Sequence, residues 1–419
     1  MIRMADKKYY QALDINEVRK LLDQNFNFKP RNEYTKILKA NGRKLAEDVI
    51  APINVPHFDR SMRDGFAVMA KDTYAANEEN PVVLDVIGNL LAGELPEKEI
   101  KDNQCIQIAT GAPIPEGADA IVMVEYTNMK SENQVEIFKS TVPGQYIIKK
   151  GNDIKKDTTI INKNETLNSR DIGALAAIGK KRVLVYKLPK IHLYSTGNEI
   201  ISLDEELVPG KVYDINSHTL LISIKNTGAL VDFKGILPDN IEIAKNSLKE
   251  SIKESDLIIL SGGTSKGIGD IFPSIIKEMG DIRLLIHGLR VKPGKPTLFA
   301  TLQVENELKF VVMLPGYPTS ALTIFNVFLS KRLMNWSNTP IKEQKIIRAK
   351  LNERVYSEVG RREFKTVLIK EEENEKYAIP TKTGSDAITT LMGMDGYFEI
   401  HEQTRFLDEG EEILVTLFD

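Results

Sequence analysis

The sequence predicts a multidomain protein of the α/β and β classes, with a doubly wound α/β domain, a β-rich insertion domain and a C-terminal β-barrel-like domain. Between residues 190 and 338, apolar strands alternate with helical segments, which is typical of a parallel sheet with helices on both faces. Between residues 57 and 147, short apolar strands are separated by Gly, Pro and Asn turns. After Pro340 the pattern of alternating strands returns.

Length and charge narrow the class of protein. The chain has 419 residues, enough for several domains with sizeable cores. Its 56 Lys and Arg nearly balance 59 Asp and Glu, so we expect neither a nucleic acid nor a membrane surface as partner. The single cysteine, Cys105, excludes an intrachain disulfide, and the five histidines lack the spacing of a zinc site. With no apolar run of about 18 residues and no apolar core near Met1, we expect a cytoplasmic protein.

The first 180 residues contain two predicted helices and several predicted strands. They are helices 14–26 and 168–178, with strands 82–88 and 120–125 among those of the insertion. Asp14 or Asn16 can cap the first helix, and Gly179 is a natural end for the second.

From residue 190 onward, strands and helices alternate. The predicted strands are 190–194, 230–237, 257–260 and 310–314, and the predicted helices are 217–226, 239–254, 270–279 and 319–336. The later strands are 345–351, 363–370 and 411–417, and the acidic run 370–376 predicts a solvated hairpin turn. Ligands of doubly wound sheets bind at the carboxyl ends of the strands, so the loops there are the first place to look for a site.

Two glycine-bearing loops follow apolar strands of this region. The first runs through Ser261, Gly262, Gly263, Thr264 and Ser265 to Asp270, and the second contains Pro315, Gly316 and Pro318. Between them, Lys292 and Lys295 flank a Pro-Gly turn. Glycines let the backbone approach a ligand, and backbone N–H groups at such loops favour oxyanions. This layout predicts a pocket for a phosphorylated, anionic ligand with a divalent metal.

Each of these motifs also has a simpler interpretation. The first loop could be an ordinary strand-to-helix turn in which Asp270 caps the helix, and the Lys292–Lys295 turn could be merely solvated. Asp64 lies before Gly65 in a motif typical of a turn, and Thr110 lies in a Gly/Pro loop, where it could donate to a ligand. Glu199 follows the first strand of the α/β region, where a metal-binding acid would be useful.

The order of the motifs carries more information than any one of them. They are Asp64-Gly-Phe-Ala-Val, Thr110-Gly-Ala-Pro-Ile-Pro-Glu-Gly-Ala-Asp, Gly151-Asn-Asp, Ser195-Thr-Gly-Asn-Glu, Ser261-Gly-Gly-Thr-Ser, Lys292-Pro-Gly-Lys-Pro and Leu314-Pro-Gly-Tyr-Pro. Over nearly the whole chain this series closely resembles the molybdopterin molybdenumtransferase family, relatives of the gephyrin E domain.

The resemblance implies an enzyme that uses adenylylated molybdopterin and molybdate or tungstate, with Mg2+, to make molybdenum cofactor and AMP. It also implies a homodimer of four-domain subunits whose cleft uses groups from both chains. The expected domains are a molybdopterin-binding domain (1–28 and 180–338), a linking domain (29–56 and 148–179), a β-rich insertion (57–147) and a C-terminal β domain (339–419).

The resemblance also implies roles for individual residues. The expected catalytic residues are Asp64, Thr110, Asp153, Glu199 and Asp270, and the expected metal ligands are Glu199, Asp239 and Asp270. Substrate binding is expected from Ser261, Gly262, Gly263, Thr264, Ser265, Lys292, Lys295, Pro315, Gly316, Pro318, Arg361 and Ser385. Asp386 stands where the family often has glycine.

Two other functions stay open on the sequence. A molybdopterin adenylyltransferase would share the α/β domain, although the additional β domains and the Asp64 and Thr110 motifs argue against it. A scaffold that binds the pterin without turnover is the second alternative, and the full set of acids argues against it. The sequence offers no nucleophilic Ser or Cys with a histidine partner, so we do not expect covalent catalysis.

Overall fold

The computed structural model describes residues 12–262, 272–338, 345–382, 384 and 386–418. The chain divides into two compact units, one formed by residues up to Glu33 and from Tyr186 onward, the other by Tyr34–Val185. The four-domain division expected from the sequence stays a prediction.

Helices are found in both units. The α-helices of the described residues are α1 (Ile15–Asn25), α2 (Ser169–Ala177), α3 (Asn216–Asn226), α4 (Ile241–Glu254), α5 (Phe272–Lys277), α6 (Pro318–Ile324), α7 (Lys331–Trp336) and α8 (Ile388–Met392). A π-helical segment, Phe325–Ser330, joins α6 to α7, so the predicted helix 319–336 is continuous but not α-helical throughout.

Short strands make up much of the first 186 residues. They are β1 (Asn32–Lys36), β2 (Val49–Ile50), β3 (Arg60–Ser61), β4 (Gly65–Val68), β5 (Val82–Leu90), β6 (Gln104–Ile108), β7 (Ala120–Met123), β8 (Thr127–Ser131), β9 (Gln134–Ile137), β10 (Ile147–Ile148), β11 (Thr159–Ile161) and β12 (Arg182–Tyr186).

The remaining strands belong to the larger unit. They are β13 (Lys190–Thr196), β14 (Ile200–Ile201), β15 (Val212–Tyr213), β16 (Leu230–Leu237), β17 (Leu257–Gly262), β18 (Asp281–His287), β19 (Val291–Lys292), β20 (Leu298–Val304), β21 (Glu307–Leu314), β22 (Ile346–Leu351), β23 (Val355–Tyr356), β24 (Arg362–Glu372), β25 (Glu375–Pro380), β26 (Gly396–Ile400), β27 (Phe406–Leu407) and β28 (Glu412–Leu417).

The larger unit is built on a six-stranded sheet in the order β16-β13-β17-β21-β20-β18. The first four strands are parallel. Helices α1, α3, α6 and α7 contribute to the apolar core that includes Leu22, Ile224 and Phe325, while α4 and α5 contribute to a second core that includes Leu248 and Ile276. The predicted doubly wound domain is therefore confirmed.

One feature of the sheet prediction was wrong. The sequence predicted a parallel sheet, whereas β18 and β20 add an antiparallel edge. Antiparallel neighbours need only a short connection, and β20 passes to β21 through Glu305 and Asn306, with Glu305 at φ +52°. Because that turn contains no glycine or proline, the usual hairpin signal was missing.

The C-terminal strands form a closed barrel. The order β24-β25-β22-β28-β26 is completed by pairing of β26 with β24, and β19 joins the outside of this ring by parallel pairing with β24. The predicted acidic hairpin is confirmed, since Glu372 pairs with Glu375 across Glu373 and Asn374, both at positive φ. The β-barrel-like C-terminal domain is therefore confirmed.

The smaller unit contains a curled six-stranded sheet in the order β7-β4-β6-β5-β9-β8. Two separate apolar clusters involve this sheet. One includes Phe66 and Val135, and the other includes Ala67 and Ile121. A third cluster surrounds α2, which begins with a capping box between Asn168 and Asp171. None of the helices in the described ranges is both long and apolar enough to span a bilayer.

Candidate active site

A cavity of about 800 Å3 lies in the larger unit at the carboxyl ends of β13, β17 and β21. Chain topology explains its position, because parallel strands place the loops that follow them on one edge of a sheet. The structure brings nine of the predicted site residues to this cavity: Glu199, Ser261, Gly262, Lys292, Lys295, Pro315, Gly316, Pro318 and Arg361.

Two glycines allow the close backbone packing on which the cavity depends. Gly262 has φ +107°, and a Cβ there would lie 2.3 Å from the carbonyl oxygen of Thr196. Gly294 has φ +104°, and a Cβ there would lie 2.3 Å from Cδ1 of Ile324 in α6. A side chain at either position would therefore be strained and would push apart two segments that line the site.

Lys292, Lys295 and Arg361 place three cations on the cavity lining. Lys292 lies opposite Glu363 in the pairing of β19 with β24, and its Nζ is 3.4 Å from Glu363 Oε1. Glu363 is buried, and its Oε2 accepts a hydrogen bond of 2.8 Å from the Ser357 hydroxyl. The barrel therefore holds the acid that positions Lys292.

The other two cations differ in their partners. Arg361 is 3.4 Å from Glu358, and both side chains are about half exposed or more. Lys295 is exposed and forms no ion pair with any residue in the described ranges. We refer to Lys292, Lys295 and Arg361 together as the cationic group, which would favour oxyanions.

Asp214 and Asn216 line the same cavity beside the start of α3. Asp214 Oδ1 accepts a hydrogen bond of 3.0 Å from the backbone N–H of Ser217. The Asn216 amide donates to Ser261 Oγ at 2.8 Å and to the carbonyl of Gly316 at 2.7 Å. Asn216 thus ties together the two glycine-bearing loops that follow β17 and β21.

Glu199 and Asp239 follow the neighbouring strands β13 and β16. Glu199 lines the cavity, and Asn198 Oδ1 accepts a hydrogen bond of 3.0 Å from the backbone N–H of Asp239. Asp239 itself is exposed and outside the lining of the cavity. No cluster of three potential metal ligands occurs within the part of the chain that is described. Carboxylate oxygens nevertheless fit Mg2+, a hard cation that keeps several waters and needs few protein ligands.

Five predicted site residues lie outside the described residues: Gly263, Thr264, Ser265, Asp270 and Ser385. Their roles stay predictions.

The remaining predicted residues, Asp64, Thr110 and Asp153, belong to the smaller unit. The backbone N–H of Thr110 donates a hydrogen bond of 2.8 Å to Asp64 Oδ1, so two motifs 46 positions apart meet. Asp153 lies on another loop, where its backbone N–H donates to the carbonyl of Val55 at 3.1 Å. All three are exposed. Their catalytic roles stay predictions.

Comparison with known proteins accounts for nearly the whole chain. Residues 13–179 match the MoeA N-terminal region (domain I and II), residues 199–335 match the model described as "Probable molybdopterin binding domain", and residues 348–418 match the MoeA C-terminal region (domain IV). The molybdopterin molybdenumtransferase of Bacillus subtilis is 30% identical over 94% of this chain and 91% of its own length. This chain belongs to the molybdopterin molybdenumtransferase family.

Further relatives of the family agree. The Nostoc molybdopterin molybdenumtransferase is 33% identical over 72% of this chain and 70% of its own. Gephyrin of Dictyostelium discoideum is 31% identical over 92% of this chain and 59% of its own. The crystal structure of the molybdopterin biosynthesis MoeA protein of Pyrococcus horikoshii has a TM-score of 0.73 and 35% identity, covering 98% of this chain and 100% of that one.

Sequence reasoning missed several residues that line the cavity or support it. Asp214 precedes α3 and Asn216 begins it. The segment Asp214-Ile-Asn-Ser217 has the composition of a helix N-cap, a signal that points to structure rather than to a ligand. Tyr317 also lines the cavity, but the sequence analysis included it only as part of the Leu314-Pro-Gly-Tyr-Pro motif. The sequence around Glu363 carries no motif that points to the site, because only the pairing of β19 with β24 brings Glu363 to Lys292.

Proposed function

We propose that this protein is a molybdopterin molybdenumtransferase, which inserts molybdate or tungstate into adenylylated molybdopterin and releases AMP. One observation carries the proposal. A single cavity at the carboxyl edge of the sheet is lined by the cationic group, by two glycine-bearing loops and by Glu199. Such a lining suits a large ligand that carries several negative charges.

The chemical difficulty of this reaction is negative charge. A diphosphate linkage, an oxyanion and the departing AMP must share one cleft. A molybdate oxygen, or a water that molybdate orients, attacks the phosphorus attached to the pterin, and the P–O bond to AMP breaks so that AMP departs with the bridging oxygen. The two dithiolene thiols then bind the metal of the oxyanion, for which soft sulfur is suited, and one oxygen of the oxyanion leaves as water with the two thiol protons. Lys292, Lys295 and Arg361 stabilise this charge by charge-assisted hydrogen bonds.

We further propose Mg2+ as the resident metal. Glu199, Asp239 and Asp270 would hold it, and when bound it supplies positive charge that neutralises phosphate oxygens. The fit rests on Glu199, whose carboxylate lines the cavity and has no ion-pair partner in the described ranges. Replacing Asp270 with Asn tests this idea, because Asn caps a helix as well as Asp but lacks the charge. We expect normal retention of adenylylated molybdopterin and AMP release lowered at least about tenfold at limiting Mg2+. AMP release at the wild-type rate would mean that Asp270 only caps its helix.

Assembly and location complete the proposal. We propose a homodimer in the cytoplasm, in which Asp64, Thr110 and Asp153 act on the same substrate as the cationic group. Family membership supports this arrangement, since the motifs of both units match family models.

The decisive experiment measures AMP. Purified protein is incubated with adenylylated molybdopterin, Mg2+ and either molybdate or tungstate, and AMP is quantified over time. We expect AMP release that requires the oxyanion and falls in Lys295→Ala. Pyrophosphate release from ATP and molybdopterin would instead identify an adenylyltransferase, and pterin binding without AMP release would identify a scaffold.

A further inference from the structure

Four polar side chains on the cavity lining contain a buried atom that has no hydrogen-bond partner among the described residues. The atoms are Ser195 Oγ, Thr196 Oγ1, Asp214 Oδ2 and Asn216 Oδ1. Each of these residues is at least nine-tenths buried within the described structure. Buried polar atoms are nearly always paired, and an unpaired one costs roughly 1–3 kcal/mol. Four at one cavity indicate that a ligand supplies the missing partners.

The chemistry of these atoms selects the kind of ligand group. The carboxylate oxygen of Asp214 can only accept when ionised. The Asn216 oxygen can only accept too, because Asn216 Nδ2 donates to the carbonyl of Gly316, which fixes the orientation of the amide. Two acceptors that lie two positions apart on one cavity lining repel an oxyanion and attract neighbouring N–H donors. The two hydroxyls can donate or accept and so add no restriction.

We propose that Asp214 and Asn216 bind the N–H edge of the pterin ring, which presents a ring N–H beside an exocyclic amino group. The inference rests on the proposed function and deepens it. The cationic group then receives the phosphate and oxyanion end of the same ligand. Hydrogen-bond acceptors therefore bind one end of the substrate and cations bind the other. This difference fixes the direction in which the ligand lies in the cavity.

A purely structural role for Asp214 is the competing explanation. Asp214 Oδ1 accepts from the Ser217 N–H at the start of α3, as a helix-capping residue does. That bond uses Oδ1 only and leaves Oδ2 unpaired. Asn and Ser cap helices about as well as Asp, so both Asp214→Asn and Asp214→Ser keep the cap while removing the charge. Asp214→Ser also removes the second acceptor.

The test measures binding of adenylylated molybdopterin without molybdate, so that no turnover occurs. The matched control is Asp14→Asn, since Asp14 caps α1 in the same unit through a hydrogen bond of 2.9 Å from the Asn16 N–H. We expect both Asp214 variants to bind about tenfold more weakly, as for loss of a charged hydrogen-bond partner. Asp14→Asn should bind like wild type. In an AMP-release assay at saturating pterin, the molybdate concentration giving half-maximal rate should be unchanged in all three variants.

Two outcomes would overturn the inference. Wild-type affinity in both Asp214 variants would leave Asp214 as a cap alone. An equal loss of pterin affinity and molybdate dependence would show that the substitutions disturb the whole cavity. Absence of AMP release from the wild type would instead contradict the proposed function. In that case, a selective loss of pterin binding in the Asp214 variants would still support the assignment of Asp214 to the pterin ring.

Discussion

The two compact units differ in where they place their predicted site residues. In the larger unit, loops separated by more than 150 positions meet at one cavity, from Glu199 to Arg361. In the smaller unit, Asp64 and Thr110 meet each other but lie exposed, and Asp153 lies on a separate loop. Parallel strands gather their following loops at one edge, whereas the antiparallel pairs that predominate in the curled sheet send successive turns to opposite ends.

A binding site needs more than loops that meet at one place. The larger unit surrounds its residues with enough structure to make a cavity of about 800 Å3, and it carries both cationic and acceptor groups there. The smaller unit offers a hydrogen-bonded pair on a surface. The groups suited to binding an anionic ligand therefore lie together in the larger unit.

The largest expected effect is on the larger unit. Glu199→Gln keeps the shape of the side chain but removes the charge proposed to hold Mg2+. We expect AMP release to fall about 100-fold or more, while retention of adenylylated molybdopterin stays normal. Glu205→Gln is the control, because Glu205 is an exposed acid whose carboxylate accepts a hydrogen bond from the Ser202 N–H. Equal AMP release by the two variants would remove Glu199 from the reaction.

A fall in pH should lower the free energy of unfolding of the larger unit first. Burial lowers the pKa of His192 to about 4, outweighing Asp232, whose carboxylate is 3.9 Å away. The unfolded chain binds a proton near pH 6.5 and the folded chain does not, so stability present above pH 6.5 is lost as the pH falls toward 4. At pH 5 we expect the free energy of unfolding to be about 2 kcal/mol lower than at pH 7 from this residue.

Denaturant titrations of wild type and His192→Gln at both pH values measure this effect. The variant should lose the part of the pH dependence that His192 causes. The smaller unit should respond less, because its histidine in the described ranges, His57, is exposed. An unchanged difference between pH 7 and pH 5 in the variant would assign the acid sensitivity to other groups.

Mixing two inactive variants sharpens the comparison further. If a dimer shares residues of both units in each site, one hybrid dimer of Asp64→Asn with Glu199→Gln contains one intact site. Random exchange of subunits makes half of the dimers hybrids, so AMP release should recover to about one quarter of wild type. The variants are denatured together and refolded, with each variant refolded alone as control. Recovery no greater than the sum of the separate variants would place both residues in sites formed within one chain.

The smallest expected effect concerns the acid beside Lys292. Glu363→Gln keeps a side chain that can bond to Ser357 but frees the Lys292 charge for an oxyanion. We expect the half-saturating molybdate concentration to fall by about two- to fivefold, in line with the modest strength of partly exposed ion pairs. Glu372→Gln on the barrel hairpin, an exposed acid paired with Lys370, is the control. A higher half-saturating concentration in Glu363→Gln would show that the acid positions Lys292 more than it neutralises it.

The sequence predicted the fold class and the glycine loops because these leave local signals. Alternating apolar segments predict β13, β16, β17 and β21, and the strand ends place Ser261 and Gly316 together. What it could not predict depends on pairing between distant strands. The antiparallel strand β20 passes to β21 through a turn without glycine or proline, and Glu363 reaches Lys292 only through barrel register. Asp214 was hidden for another reason, since one of its oxygens serves an ordinary helix cap.

The pairing of β19 with β24 has a consequence for synthesis on the ribosome. A nascent chain that ends at residue 338 already contains every strand of the central sheet. The partner of Lys292, however, is Glu363, and the barrel strand that carries it extends to Glu372. Since chains emerge at about 5–20 residues per second, the sheet can form seconds before the barrel strand that fixes this lysine is available. Arg361, which also lines the cavity, emerges just before this strand. The cationic group is therefore complete only after the C-terminal part of the chain has emerged.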